Sequence, residues 1–279
     1  MKRIVTVQDI SCVGRCSLTV ALPIISAAGV ETCVVPTAVL STHTMFPKYT
    51  FHDLTDEIEP IVNTFDELSI DFDALYTGYL GSFRQIELVE NFYNMQKKKP
   101  LLVVDPAMAD NGKLYKGFTE EFAARMAKLV GIADIAIPNV TEACIMLGKE
   151  YKEVYDEEYV KELLVGLTDM GAKAAALTGI VLEQGKIGYY AYDSQEKRFY
   201  SYYNEKLDVS YHGTGDIFAS ATVGALMRGL SLADSLALAT DFTLECMKRT
   251  AADENKRFYG VNFEEALPFY ISRIPEAAK

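Results

Sequence analysis

Short apolar runs alternate with amphipathic ones along most of the chain. Residues 4–7, 33–35, 74–77, 101–104, 135–137 and 174–177 are brief, β-type and mostly apolar, the pattern of strands covered on both faces in a parallel sheet. Between several of them, residues 85–95, 120–130 and 158–170 carry apolar positions at a 3.6-residue spacing and read as helices lying on such a sheet. This rhythm predicts an α/β fold with a mostly parallel central sheet flanked by helices. Residues 187–192 and 198–203, separated by the turn-like DSQEK, read instead as an antiparallel hairpin at the sheet edge. From Gly213 the pattern is helical to the end of the chain, starting with the run IFASATVGALM at 217–227. Residues 40–52, LSTHTMFPKYTFH, have no clear period and are expected to form a lid or substrate-contacting loop. No linker, low-complexity tract or repeat interrupts the pattern, so one domain over residues 1–279 is expected.

In an open α/β sheet, ligands bind beyond the carboxyl ends of the strands. Polar residues collect there: Gln8 and Asp9 after the first run, Tyr79 after the third, Asp105 after the fourth, Asn139 after the fifth and Thr178 after the sixth. The most informative stretch is HGTGD, His212 to Asp216, immediately before the apolar helical run. A glycine turn that opens a helix leaves the amides of Gly213, Thr214 and Gly215 free for an anion, with the helix dipole behind them. An aspartate would repel a phosphate, so Asp216 reads as a general base for a substrate hydroxyl. The alternative is an ordinary helix start in which Thr214 or Asp216 caps the first turn.

Composition narrows the classes. The 279 residues are 49% hydrophobic and 24% charged, the balance of a soluble globular protein. A net charge of -12 opposes non-specific binding to nucleic acid or to an anionic membrane, so any phosphate site must be local. The N-terminus MKRIVTVQDI has no long apolar core or secretory signal, and no apolar stretch reaches the ~20 residues of a membrane span; a cytoplasmic setting is expected. The odd number of cysteines, five, suits free thiols, and Cys12 and Cys16 are expected as small buried packing residues rather than metal ligands.

The ordered motifs LSTHT (40–44), YTGYLGS (76–82), DPAMAD (105–110), PNVTE (138–142) and HGTGD (212–216) resemble the pyridoxal kinases of the ribokinase superfamily, over nearly the whole chain. The resemblance implies a ribokinase-like three-layer sandwich. It also implies ATP-dependent phosphorylation of the 5′-hydroxymethyl group of pyridoxal, pyridoxine or pyridoxamine by a homodimer. Carried onto this sequence, Asp216 is the base and Gly213, Thr214 and Gly215 form the anion hole. Asp105, Asn139 and Thr178 join Gly213 and Gly215 in holding the nucleotide, and Asp105, Asp110 and Glu142 are expected near Mg²⁺. Taken singly, Asp105 before Pro106 is also an Asx-type turn, and Asn139 with Glu142 a helix N-terminal box. Asp9, Thr44 and Tyr79 correspond to the vitamer site, and His43 either touches substrate or packs its loop.

Three departures stand out. Asp9 replaces the serine of many pyridoxal kinases, which leaves the preferred vitamer open. Ile137 stands where relatives often carry threonine, which leaves open a monovalent cation such as K⁺. Ala109 replaces a glycine. The closest rival is a hydroxymethylpyrimidine kinase, which shares the fold and HGTG but commonly continues with cysteine, and has a glycine-rich run where this chain has DISCVGRCS. A sugar kinase lacks support in the N-terminal sequence, and a catalytically silent pyridoxal- or nucleotide-binding protein would have no need of Asp216.

Overall fold

Buried runs too short for a helix become strands, and the capped amphipathic stretches between them become helices. The structure is a computed structural model that describes residues 1–275. In chain order its first half runs β1 (Arg3–Val13), α1 (Leu18–Ala27), β2 (Glu31–Thr42), β3 (Phe51–Asp53), α2 (Thr55–Glu67), β4 (Ala74–Thr77), α3 (Phe83–Met95) and β5 (Leu101–Val104). A small hairpin follows, β6 (Ala109–Asp110) and β7 (Lys113–Leu114), then α4 (Glu120–Val130), β8 (Ile135–Ala136), α5 (Val140–Leu147), α6 (Glu157–Asp169) and β9 (Ala174–Ile180). The edge hairpin β10 (Lys186–Asp193) and β11 (Arg198–Glu205) precedes α7 (Thr214–Met227), α8 (Leu232–Ala252) and α9 (Phe263–Ile271). Side-chain oxygens of Ser82, Thr119 and Asp156 accept first-turn amides and start α3, α4 and α6, as such residues do at N-caps.

The main sheet has the order β3-β2-β1-β4-β5-β8-β9-β10-β11. Strands β2 to β9 in that order are parallel, and β3, β10 and β11 join antiparallel at the edges. One face carries α2 to α6 over a core that includes Leu75, Ile86, Phe92, Met126 and Leu163. The other carries α1, α7, α8 and α9 over Ile4, Ile24, Tyr76, Ile217 and Phe242. Because β1 leads through α1 to β2 and the chain then returns through α2 to β4 on the other side of β1, the strand order reverses between β1 and β4. A crevice opens beyond the carboxyl ends at such a point.

Several elements run further than the sequence pattern predicts. β1 and β2 run on past the end of β4 as a tongue flanked by β3, with a bulge between Gln8 and Ile10. Beyond Val7 only one neighbour sustains β1 and one side is solvated, so no doubly apolar run marks it. Gln8 and Asp9 therefore lie inside a strand, and of residues 40–52 only 43–50 are loop. Cys12 faces outward on the tongue and is exposed, contrary to the packing expectation, while Cys16 is buried. Thr178 and Gly179 lie within β9 because β10 pairs with it as far as Ile180. The expected helical C-terminus is interrupted at residues 253–262, where Asn262 bonds back to Thr250 and Asp253; residues 276–279 lie outside the described residues. No helix among the described residues is long and apolar enough to cross a membrane.

Candidate active site

The first turn of α7 is open. Gly213 is its N-cap at φ 81°, and no side chain caps the turn; the Thr214 hydroxyl donates to the Tyr211 carbonyl at 3.3 Å instead. Neither Thr214 nor Asp216 takes the capping role, so the leading amides keep their anion-binding capacity. Gly213 is required twice over, by its left-handed backbone and because a Cβ would lie 2.0 Å from the Arg15 carbonyl oxygen. Gly215 is exposed, and a Cβ there would meet nothing within 4 Å. Asp216, third residue of the helix, is part-buried. Burial pushes its carboxyl up to about 7, against the pull of the Ser17 backbone N–H, and Asp9 adds to the rise. Ser17 holds a positive φ of 49° in the β1–α1 turn. Asp9 is 5% exposed, and burial raises its carboxyl while the Ser17 and Ser11 hydroxyls hold it back. Bulge, turn and helix start thus bring Asp9, Ser17 and Asp216 to one side of the rim.

A second acidic group stands after β5. The Asp105 carboxylate accepts from the Ala107 N–H at 3.2 Å, the Asx-type turn that the sequence allows. Its carboxyl lies well above the usual range because of burial first and then Glu142 and Asp216. Asn139 and Glu142 form a complete capping box on α5. Glu142 Oε1 also accepts from the Met108 N–H at 2.8 Å, and the Asn139 amide donates to the Ala109 carbonyl at 2.8 Å. Both side chains therefore clip the 105–110 loop to α5. Burial raises Glu142 to about 7 while these backbone donors oppose the rise. Asp110 is exposed and accepts from the Asn111 backbone and side chain. Thr178 on β9 pairs across a single parallel bridge with Asn139. Among the described residues no three His, Cys, Asp or Glu side chains gather tightly enough to cage a metal alone.

The third wall is aromatic. The Tyr79 ring lies 5.5 Å from Phe118, which stacks on Phe122 at 4.1 Å. The Tyr79 carbonyl accepts from the Thr37 hydroxyl on β2 at 3.4 Å, and burial raises its phenol, followed by Asp9, Tyr49 and Asp53. Thr44 is exposed on the connecting loop. His43 packs: its Nδ1 accepts from the Met45 N–H at 3.2 Å, so Nε2 carries the proton and donates to the Tyr259 carbonyl at 3.1 Å. Its ring lies 4.5 Å from that of His212, whose pKa burial and His43 lower to about 4. His43 thus ties its loop to Tyr259 and, through the ring contact with His212, to the start of α7. Tyr115, in the loop after β7, carries no sequence signal; the residue is 44% exposed, yet its phenol is raised by burial and then by Glu142, Asp110, Asp105 and Asp216. It belongs to the acidic rim.

An open helix N-terminus, a carboxyl tuned near neutrality and acidic groups beside both are the parts of a phosphoryl-transfer site. The Phosphomethylpyrimidine kinase family profile matches residues 21–261. The chain belongs to this family. Its members are kinases that use ATP and an alcohol acceptor, on a ribokinase-like fold. A Bacteroides thetaiotaomicron protein described as a phosphomethylpyrimidine kinase, solved in one crystal form with pyridoxal, is 40% identical over 99% of this chain and 98% of its own, with a TM-score of 0.92. Pyridoxal kinase from Lactobacillus plantarum is 29% identical over 98% of this chain and 97% of its own, with a TM-score of 0.90. The hydroxymethylpyrimidine/phosphomethylpyrimidine kinase of Aquifex aeolicus is 28% identical over 61% of this chain, and the chain spans 66% of that enzyme's length. Family membership leaves the acceptor ring to be read from the site.

Proposed function

We propose that the chain is a pyridoxal kinase, which transfers the γ-phosphoryl group of ATP to the 5′-hydroxymethyl group of vitamin B6 vitamers. One observation carries the reading: Asp216 stands in the first turn of a helix whose N-terminus no side chain caps, with Asp9 close enough to raise its carboxyl. In this reading Asp216 takes the proton of the acceptor hydroxyl as the oxygen attacks the γ-phosphorus. The amides of Gly213 to Gly215 receive the charge that develops on the transferring group. Tyr79 supplies a ring wall, Asp9 hydrogen-bonds the ring edge, and Thr44 closes from the loop above. Asn139 and Thr178 border the nucleotide. A homodimer and a cytoplasmic setting go with this reading. The near full-length match to the Bacteroides protein supports a pyridine substrate.

Mg²⁺ fits the acidic rim. Burial raises Asp105, and Glu142 and Asp216 add to the rise; a divalent cation relieves that repulsion, and hydrated Mg²⁺ shared with phosphate oxygens needs only one or two carboxylates. Bound there it would neutralise phosphate charge. Asp105, with Asp110 at the loop edge, would hold it, while Glu142 keeps its carboxylate on backbone donors and shapes the loop. Asp105→Asn should raise the Mg²⁺ concentration for half-maximal rate about tenfold with little change in vitamer KM. Glu142→Gln turns an NH₂ towards the Met108 or Asn139 amide and should cost about 1–3 kcal/mol of stability. Mg²⁺ titration and thermal melts separate the two, and an unchanged Mg²⁺ titration for Asp105→Asn removes it from the metal.

Hydroxymethylpyrimidine is the second acceptor to test, because the family match and the Aquifex enzyme favour it. ADP release should be measured with MgATP and pyridoxal, pyridoxamine, pyridoxine or hydroxymethylpyrimidine. The expected result is a kcat/KM for the best vitamer at least about tenfold above that for the pyrimidine. A preference for the pyrimidine would overturn the B6 assignment and leave the kinase assignment standing.

A further inference from the structure

One polar cluster inside the apolar layers has no part in the chemistry above. Tyr76 projects from β4 on the α7 side of the sheet and is fully buried. Its hydroxyl, Gln8 Oε1 on β1 and Ser220 Oγ on α7 are all buried without a close hydrogen-bond partner. In the sheet register Tyr76 stands opposite Thr6, which puts it on the same face as Gln8, two residues further along β1, under the α7 layer. Burial, then Asp105 and Asp216, raise its phenol, while Ser220 and Gln8 hold it back. Gln8 is fixed from its other end, for its Nε2 donates to Thr6 Oγ1 at 2.8 Å. It also lies so close to Gly78 that a Cβ there would come within 2.7 Å of Gln8 Cδ.

Ser220 follows Asp216 by one helical turn and shares its face of α7. The cluster thus lies one turn deeper along α7 than Asp216, surrounded by apolar side chains such as Ile4 and Ile217. Burying three polar groups there lowers stability relative to an apolar filling unless they bond one another. Polar cost tolerated beside a reacting group marks a functional constraint.

We propose that Tyr76 is a positioning residue for Asp216, an inference that rests on reading Asp216 as the base. The Tyr76 hydroxyl donates to Gln8 Oε1 and accepts from the Ser220 hydroxyl, and this tie fixes the start of α7 against β1 and β4. Those are the strands that lead to Asp9 and Tyr79. The tie therefore sets the distance between the acceptor hydroxyl, held from the strands, and the carboxylate, held from the helix.

The test compares Tyr76→Phe, Ser220→Ala and the double variant, with Asp216→Asn alongside, by steady-state kinetics and thermal melts. Each single change should lower kcat about tenfold, the scale of a small misplacement of a reacting group, while KM for ATP and acceptor stays within about twofold. The double variant should be no slower than the slower single, because both changes break one tie. A folded Tyr76→Phe or Ser220→Ala protein with unchanged kcat, or effects that multiply in the double, overturns the proposal. So does a loss of melting temperature with no loss of kcat. If Tyr76→Phe does not fold, the kcat and KM of Ser220→Ala decide alone. Full turnover by Asp216→Asn would remove the base and the tie with it, whereas an inactive Asp216→Asn beside an unimpaired Tyr76→Phe sinks the tie only.

Discussion

Asp216→Asn should lower turnover by about 10²- to 10⁴-fold, the usual worth of a positioned general base, while the protein folds and binds ATP as before. Its pH behaviour follows from the same carboxyl. With a pKa pushed up to about 7 by burial, Asp216 is protonated and idle as a base below neutrality, so kcat/KM of the free enzyme should rise through pH 7. The asparagine variant should lose that ascending limb. Stability has the opposite sign. A carboxyl raised in the fold above its unfolded value contributes stability that is present below about pH 4 and lost as pH rises through about 7. At pH 8 the folded protein therefore holds an ionised carboxylate at a cost, and Asp216→Asn should melt no lower than the parent. Near-parental turnover in the folded variant, or a retained ascending limb, would take Asp216 out of the base role.

Gly213→Ala and Gly215→Ala should fail in different ways although they stand two residues apart. At Gly213 the left-handed φ of 81° and the approach to the Arg15 carbonyl both exclude a Cβ. Strain of about 1–2 kcal/mol and overpacking of about 1–3 kcal/mol combine there, so the variant should lose about 3 kcal/mol of unfolding free energy and most activity with it. At Gly215 a Cβ meets nothing within 4 Å, so the fold should be untouched. The new methyl group would stand in front of the open amides, where the transferring phosphoryl group has to approach. A loss in kcat/KM of about 10²-fold at unchanged melting temperature is expected, the scale of one lost oxyanion donor. Urea unfolding beside steady-state kinetics checks both variants. A destabilised Gly215→Ala protein would show that the first turn of α7 is packed rather than open.

Much of this was legible in the chain itself. Double-sided apolar runs at 74–77, 101–104 and 135–137 and the amphipathic stretch 120–130 fixed strands and helices to within a residue or two, because period and length are local properties. Prolines and glycines after those runs gathered polar residues on one rim, and HGTGD marked the uncapped helix start of α7. Tertiary structure decided how those residues are employed. Asn139 and Glu142 are taken up by the box and the 105–110 loop, where Glu142 accepts from Met108, 34 positions away. His43 is held by Tyr259, 216 positions away, which makes it a clamp. Burial and then carboxylates on other elements raise the Tyr76 and Tyr115 phenols, and Asp9 lies within a strand because β2 continues beside it. Sequence spacing specifies which face a side chain takes; its partners and its ionisation depend on burial against residues far off in the chain, and only the folded packing supplies those.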